Sequence, residues 1–224
     1  MASSTDNLQI LKGVVSVRRF TKLPVAWAAE TDFATGDYVY MPTSKNLYKA
    51  TTGGTSAASP GTGPSGTTSS ITDGTVTWAY VPWVDVGNVP KFEFTPEVEK
   101  DEHFTSRAGI KVRDKTVILS KKGSLAITFE EGTMENMEIA LLGTLSGSSP
   151  NREIEIFDAA EITCQVKCEG TNDVGPRRSA FFGHVAFQPD SAVPFISDSW
   201  AQYDLKGEVN LDGLGSFGKF SEAA

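Results

Sequence analysis

GNVPKFEFTPEVEKDEHFTSRAGIKVRDKTVILSKKGSLAITFEEGTMENMEIALLG, residues 87–143, holds the order of elements on which the fold turns. Phe92, Phe94 and Val98 alternate with Glu93, Thr95, Glu97 and Glu99, which predicts a half-buried strand, with Pro96 at an edge or bend. The following EHFTSRAGIKVRDKT (residues 102–116) is polar and charged, with Gly109 as its natural turn point. A second strand is expected where Leu125, Ile127 and Phe129 alternate with Ser124, Ala126 and Thr128. One helix closes the stretch. Thr133 suits its N-cap, Glu135 its first turn and Gly143 the C′ position, while Met134, Met137 and Leu141 form a stripe to pack on a sheet.

Outward from this centre the chain divides by texture. Residues 8–20 read as a first strand, with Val15 and Val17 opposite Ser16 and Arg18. From Trp27 to Trp83 the sequence is rich in Thr, Gly, Ser and aromatics, with strand-like pieces GDYVYM (36–41), NLYKAT (46–51) and GTVTWAYV (74–81). Between the last two lies TTGGTSAASPGTGPSGTTSS (51–70), expected to be a long mobile loop. Downstream, EIEIF (153–157), EITCQVKC (161–168), AFFGHVAF (180–187) and AQYDLKGEVNL (201–211) alternate as strands, the last with Tyr203, Leu205, Val209 and Leu211 on one face. Several strands with a single helix predict a mainly β chain, a sandwich or barrel flanked by that helix. Residues 1–24 and 84–224 form the main domain in this reading, and 25–83 a small inserted β-module.

Composition bounds the function. The chain has 224 residues and a formal net charge of -8, the opposite of the basic surface that grips phosphates. Duplex DNA is therefore expected only in transit, past a surface that repels it. No basic segment leads into an apolar run at the start, and no run reaches the roughly 20 apolar residues needed to cross a bilayer, so neither a signal peptide nor a membrane anchor is expected.

Chemistry is scarce. Cys164 and Cys168 lie on one face of a strand, about 13 Å apart, too far for a mutual disulfide, and read as buried thiols. Gly213–Gly218 spell GLGSFG, which matches a dinucleotide-binding pattern without the helix that would hold the pyrophosphate, and reads as a flexible glycine-rich tail. His184 reads as an ordinary strand residue on the face opposite Phe181, Val185 and Phe187, and His103 as a solvated one. No catalytic residue, metal or cofactor is expected, and the chain is not expected to be an enzyme. More informative is the charge split: EVEKDE (97–102) is acidic, whereas Arg107, Lys111, Arg113, Lys115, Lys121 and Lys122 make the second half basic. Either this is a solvated hairpin of mixed charge, or an arm that meets an oppositely charged patch on another copy.

The order of these features resembles the major tail tube proteins of long-tailed bacteriophages. It comprises G-N-x-x-x-F-x-F from Gly87 to Phe94, an acidic turn, a loop ending in D-K-T-V at Asp114–Val117, a strand, and E-N-x-x-x-A-L-L-G from Glu135 to Gly143. The close match covers about a quarter of the chain. It implies a tube-type β-sandwich or barrel with one flanking helix, and six copies joined into a ring whose strands continue between neighbours. Rings would stack into the channel of a virion tail, assembled in the host cytoplasm. Tape measure, terminator and baseplate proteins would be further partners. The resemblance places an arm toward other subunits at roughly 100–115, so Glu99, Lys100, Asp101, Glu102, His103, Arg107, Lys111, Arg113 and Lys115 are its candidate contacts.

The insertion is similar to small chitin-binding modules of the carbohydrate-binding five/twelve type, on Trp27, Phe33, Gly36, Asp37, Tyr48 and Trp78. That similarity would add a host surface glycan as a partner. In the sugar-binding relatives tryptophans stack on sugar in the loop after the Y-x-A strand, and here that loop, TTGGTSAASPG (51–61), has no aromatic. Trp27, Phe33, Tyr48 and Trp78 therefore read as the core of the module, and an adhesin acting through it is the alternative function.

Overall fold

The computed structural model describes residues 12–106, 109–172 and 175–222, and over these the chain is mainly β with one short helix. β1 (Gly13–Phe20) leads into seven short strands: β2 (Val25–Ala26), β3 (Asp32–Phe33), β4 (Tyr38–Met41), β5 (Asn46–Thr52), β6 (Gly54–Thr55), β7 (Ile71–Asp73) and β8 (Val76–Tyr80). β9 (Val84–Asp85) precedes two long strands, β10 (Lys91–Thr105) and β11 (Val112–Phe129), and then α1 (Met134–Ala140). The chain continues through β12 (Thr144–Ser148), β13 (Asn151–Glu155), β14 (Ile162–Gly170), β15 (Arg178–Pro189), β16 (Tyr203–Val209) and β17 (Lys219–Glu222).

The main sheet runs β10-β11-β16-β15-β14-β1-β9, with β17 added along β15, and its strands pair antiparallel. Flat, it would hold β10 and β15 about 14 Å apart, three strand spacings. Instead the Phe94 ring of β10 sits 5.2 Å from the Phe182 ring of β15, so the sheet coils around its own apolar face like a barrel wall. Leu125, Ile127, Phe129, Ile162, Cys164, Val166, Val185, Phe187 and Leu205 fill that interior, and α1 adds Ile139 and Ala140.

β15 departs from simple alternation. Cys164 pairs with Val185 but Val166 with Phe182, so Gly183 and His184 stand where β14 supplies only Gln165, a bulge of one extra residue. The shift brings Phe182 into the core, and Phe181 instead meets Tyr40 and Trp83. Leu211 falls beyond β16 and is exposed, and the expected buried face of that strand ends at Val209. GLGSFG is not a loose tail. Asp212 Oδ1 accepts from Leu214 N and Ser216 N, and this tight turn feeds β17 onto β15.

Helix α1 begins as expected: the Thr133 hydroxyl accepts from Asn136 N at 3.2 Å, and Glu135 lies in the first turn. Its buried face is Asn136, Ile139 and Ala140 rather than the Met134–Leu141 stripe, with Met137 only half-buried. Its end is displaced by one residue. Leu142, at φ 48, takes the left-handed C′ position, and Gly143 N bonds Glu138 O at 2.9 Å while Leu142 N bonds Ile139 O at 3.3 Å. Gly143 is needed one step later, because a Cβ there would lie 2.3 Å from Ile154 Cγ2 and 2.6 Å from Glu155 O. Removing the cap should be measurable. Thr133→Ala is expected to cost about 1 kcal/mol, read as a lower urea midpoint at unchanged slope.

Residues 25–80 make their own sheet, β2-β4-β5-β8-β7, beside the β3–β6 pair, and enclose a second core of Phe33, Val39, Tyr48, Ala50, Val76 and Trp78. The stretch 51–70 packs against it, which corrects the picture of a free loop. Ser56 and Pro64 are buried, Gly63 approaches Trp27 and Met41, and Gly66 O accepts from the Tyr48 hydroxyl at 2.9 Å. Small residues allow that close approach, so low complexity here reflects packing rather than its lack.

The module meets the main sheet at a defined joint. Phe20 shares a small buried cluster with Tyr38 and Leu47. Arg18 lies 3.9 Å over the Trp83 ring and donates from Nη2 to Lys45 O at 2.7 Å. Burial pushes its guanidinium down to about 10, which leaves it charged at neutral pH.

Candidate interaction surface

β10 and β11 form one long hairpin, from Lys91↔Thr128 at its base to Thr105↔Val112 near its tip, with irregularities at Glu99/Lys100 and His103/Phe104. The turn is closed by Gly109 N to Ser106 O at 3.1 Å, with Gly109 at φ 76, a region open to glycine. Thr105 on one side and Val112, Thr116, Val117 and Ile118 on the other are β-branched and favour extended pairing, so the expected loop is ladder almost to its end.

The two charged halves face each other inside this hairpin. Arg113 Nη1 donates to Glu102 Oε1 at 2.5 Å, and His103 Nδ1 lies 2.6 Å from Asp114 Oδ1. Glu99 accepts from the Ser120 hydroxyl at 2.9 Å, and Glu97 stands opposite Lys122. Lys100 pairs in the ladder with Ile118, Asp101 with Val117 and Lys115 with His103. Lys111 is exposed in the turn, and Arg107 lies outside the described residues. Exposed pairs of this kind contribute about 0–1 kcal/mol, so they set register more than stability.

What the charges leave unexplained is the apolar content. Phe94 and Val98, expected to be half-buried, are exposed, as are Phe104, Val112, Val117, Ile118 and Leu119. The reason is reach: beyond Phe94 the hairpin runs past the interior, and no other element among the described residues covers it. β10 is also the terminal strand of the main sheet, so among the described residues one side of its 15-residue backbone has no strand beside it. A long, apolar edge is a template for another strand. Sequence reading singled out this segment by its charge split but missed its exposed apolar face, because alternation alone cannot say whether that face meets the chain's own core.

The four module aromatics have the opposite character. Tyr48 and Trp78 are fully buried, Phe33 is buried with its ring 5.1 Å from Trp78, and Trp27 is half-buried. Asp73, unnoticed in the sequence, joins two of them: its Oδ2 accepts from Trp27 Nε1 at 2.8 Å and Trp78 Nε1 at 3.2 Å. Its Oδ1 accepts from Ala57 N at 3.1 Å. These rings have their faces and polar atoms engaged inside the module and offer no stacking platform.

Both cysteines are free. Cys164 is fully buried and burial pushes its thiol up to about 12, while Cys168 is half-buried and raised to a smaller extent. A pKa of about 12 leaves roughly one part in ten thousand as thiolate at pH 8. Maleimide at pH 8 is therefore expected to modify Cys168 and spare Cys164 in the folded chain, read by peptide mass spectrometry. Equal labelling of both would contradict this burial. Among the described residues no cluster of three or more His, Cys, Asp or Glu is placed to hold a metal, and no helix is long and apolar enough to cross a membrane.

A family model described as "Protein of unknown function UCP028589" matches residues 69–151, which take in β7 to β12 with the hairpin and α1. Among curated proteins, none matches the chain.

Proposed function

We propose that this chain is a structural subunit of a bacteriophage tail tube, which assembles with copies of itself into stacked, six-membered rings around a channel for DNA. The strongest support is the hairpin. Its exposed apolar side chains and the open backbone edge of β10 form a surface that a solitary soluble chain would be expected to shield, and pairing with a neighbour's sheet would cover both. The net charge of -8 suits a wall that duplex DNA must slide past without binding. Other tail proteins would meet the ends of such a tube. The adhesin alternative finds no comparable support, because the module aromatics that would hold a sugar are packed in its core.

Size-exclusion chromatography with light scattering tests the reading. Multiples of the 24.0 kDa subunit that grow with concentration are expected. A monomer at all concentrations, retained on a chitin column, would favour the adhesin instead.

A further inference from the structure

The loop between β15 and β16 carries the most exposed large apolar side chains among the described residues. Ile196 is 96% exposed, Trp200 90% and Phe195 75%. The loop is nonetheless anchored: Val193 and Ala201 pack on the main core, and Asp190 N bonds Asp204 O at 3.0 Å across its base. Between these anchors the three side chains project away from the described residues of their own chain.

The same molecule has an apolar groove of about 710 Å³ where the coiled sheet stays open, floored by Val15, Phe92, Phe94, Ala180 and Phe182 and edged by Phe220. Groove and loop belong to opposite ends of β15, since Ala180 and Phe182 lie near its start and the loop follows Pro189. From Phe182 to Pro189 is about 23 Å along an extended strand. Their charges are opposite. The groove residues include Lys12, Lys91 and Lys219 against a single Glu93, whereas residues 190–202 contain Asp190 and Asp198 and no Lys or Arg.

We infer that the 191–200 loop of one copy seats Phe195, Ile196 and Trp200 in this groove of a neighbouring copy. The inference rests on the self-assembly reading above and supplies a contact that the hairpin does not. A loop on one part of the surface entering a groove on another is a head-to-tail contact, which closes into rings or propagates as a filament. Two aromatics bury about 150–250 Å² each, part of the roughly 800 Å² per partner in a standard interface, so loop and hairpin edge would share the work. Opposite charges at the rim would favour the correct register over other apolar encounters.

Cys168 lines the groove and reports on its occupancy. The full chain is treated with N-ethylmaleimide at high concentration, where it is assembled, and after dilution to free subunits. Modification of Cys168 is expected to slow at least about tenfold on assembly. The exposed double substitution Ile196→Asp with Trp200→Asp should leave circular dichroism unchanged and raise the concentration needed for assembly at least about tenfold. Rings whose Cys168 reacts as fast as in free subunits would overturn the inference while leaving the self-assembly reading intact. So would a double variant that assembles at the wild-type threshold. Protection of Cys168 already in the free subunit would show that the groove is filled by its own chain, which also overturns it. A wild-type chain that never assembles sinks both.

Discussion

Replacing residues 98–121 with Asn-Gly is expected to leave a folded subunit that forms no rings or tubes. The cut falls where Glu97 stands opposite Lys122, so the two-residue turn joins an existing antiparallel pair, and Asn-Gly suits the hairpin twist. No described residue of the removed part belongs to the core. The buried residues of β11 begin at Gly123, and Leu125, Ile127 and Phe129 remain paired with β16. The body should therefore unfold within about 1 kcal/mol of the wild type, because the lost side chains are exposed in the single chain. Self-association, in contrast, should be lost, since the outer half of the β10 edge goes together with the exposed Val98, Phe104, Val112, Val117, Ile118 and Leu119. Electron micrographs with tubes of ordinary length from this variant would remove the hairpin from the assembly mechanism.

This truncation is a cleaner test than charge reversal. Arg113→Glu would place two carboxylates where Arg113 now donates to Glu102, so any failure to assemble would mix internal repulsion with a lost contact.

The second large effect belongs to the inserted module. Trp78→Ala removes the largest fully buried side chain of the molecule, and the neighbours that would need to close the hole, Phe33, Val76 and Tyr48, are held in a small sheet. A loss of about 3–5 kcal/mol is expected from the cavity and the forfeited contacts. Asp73 would also keep only Trp27 and Ala57 N as partners for a buried carboxylate. A module this small has little stability to lose, so residues 51–70 should become open to protease while the main sheet resists. The damage should spread only to the joint, where Phe20 loses Tyr38 and Leu47, and Arg18 loses Lys45 O. Unchanged protease resistance of 51–70 would show that the module does not depend on this core.

Much of this architecture was legible because short-range chemistry decides it. Leu125, Ile127 and Phe129 alternate and are buried, Thr133 caps the helix it was expected to cap, and Tyr203, Leu205 and Val209 face the core. What escaped depends on neighbours that sequence spacing does not name. Phe181 and Phe182 exchange faces because β15 carries one extra residue opposite Gln165. Phe94 and Val98 have the pattern of a half-buried strand, yet Phe94 meets only the rim of the interior at Phe182 and Val98 lies beyond its reach. The glycine- and serine-rich stretch looked too plain to pack, but Gly63 approaches Trp27 because it is small, and Gly66, at φ 91, offers its carbonyl to the Tyr48 hydroxyl. GLGSFG likewise became ordered through Asp212, just before the motif. The candidate arm was located from its charge split. Its charges turned out to pair within the hairpin, and the apolar edge beside them is what remains to be covered.

Cryo-electron microscopy of the purified full chain at high concentration tests the central claim most directly. The tail tube reading predicts hollow rings of six copies, stacked into tubes, with the open edge of β10 hydrogen-bonded to a strand of a neighbouring copy. Particles that remain single subunits, or assemblies in which β10 stays unpaired and no channel is present, would contradict it.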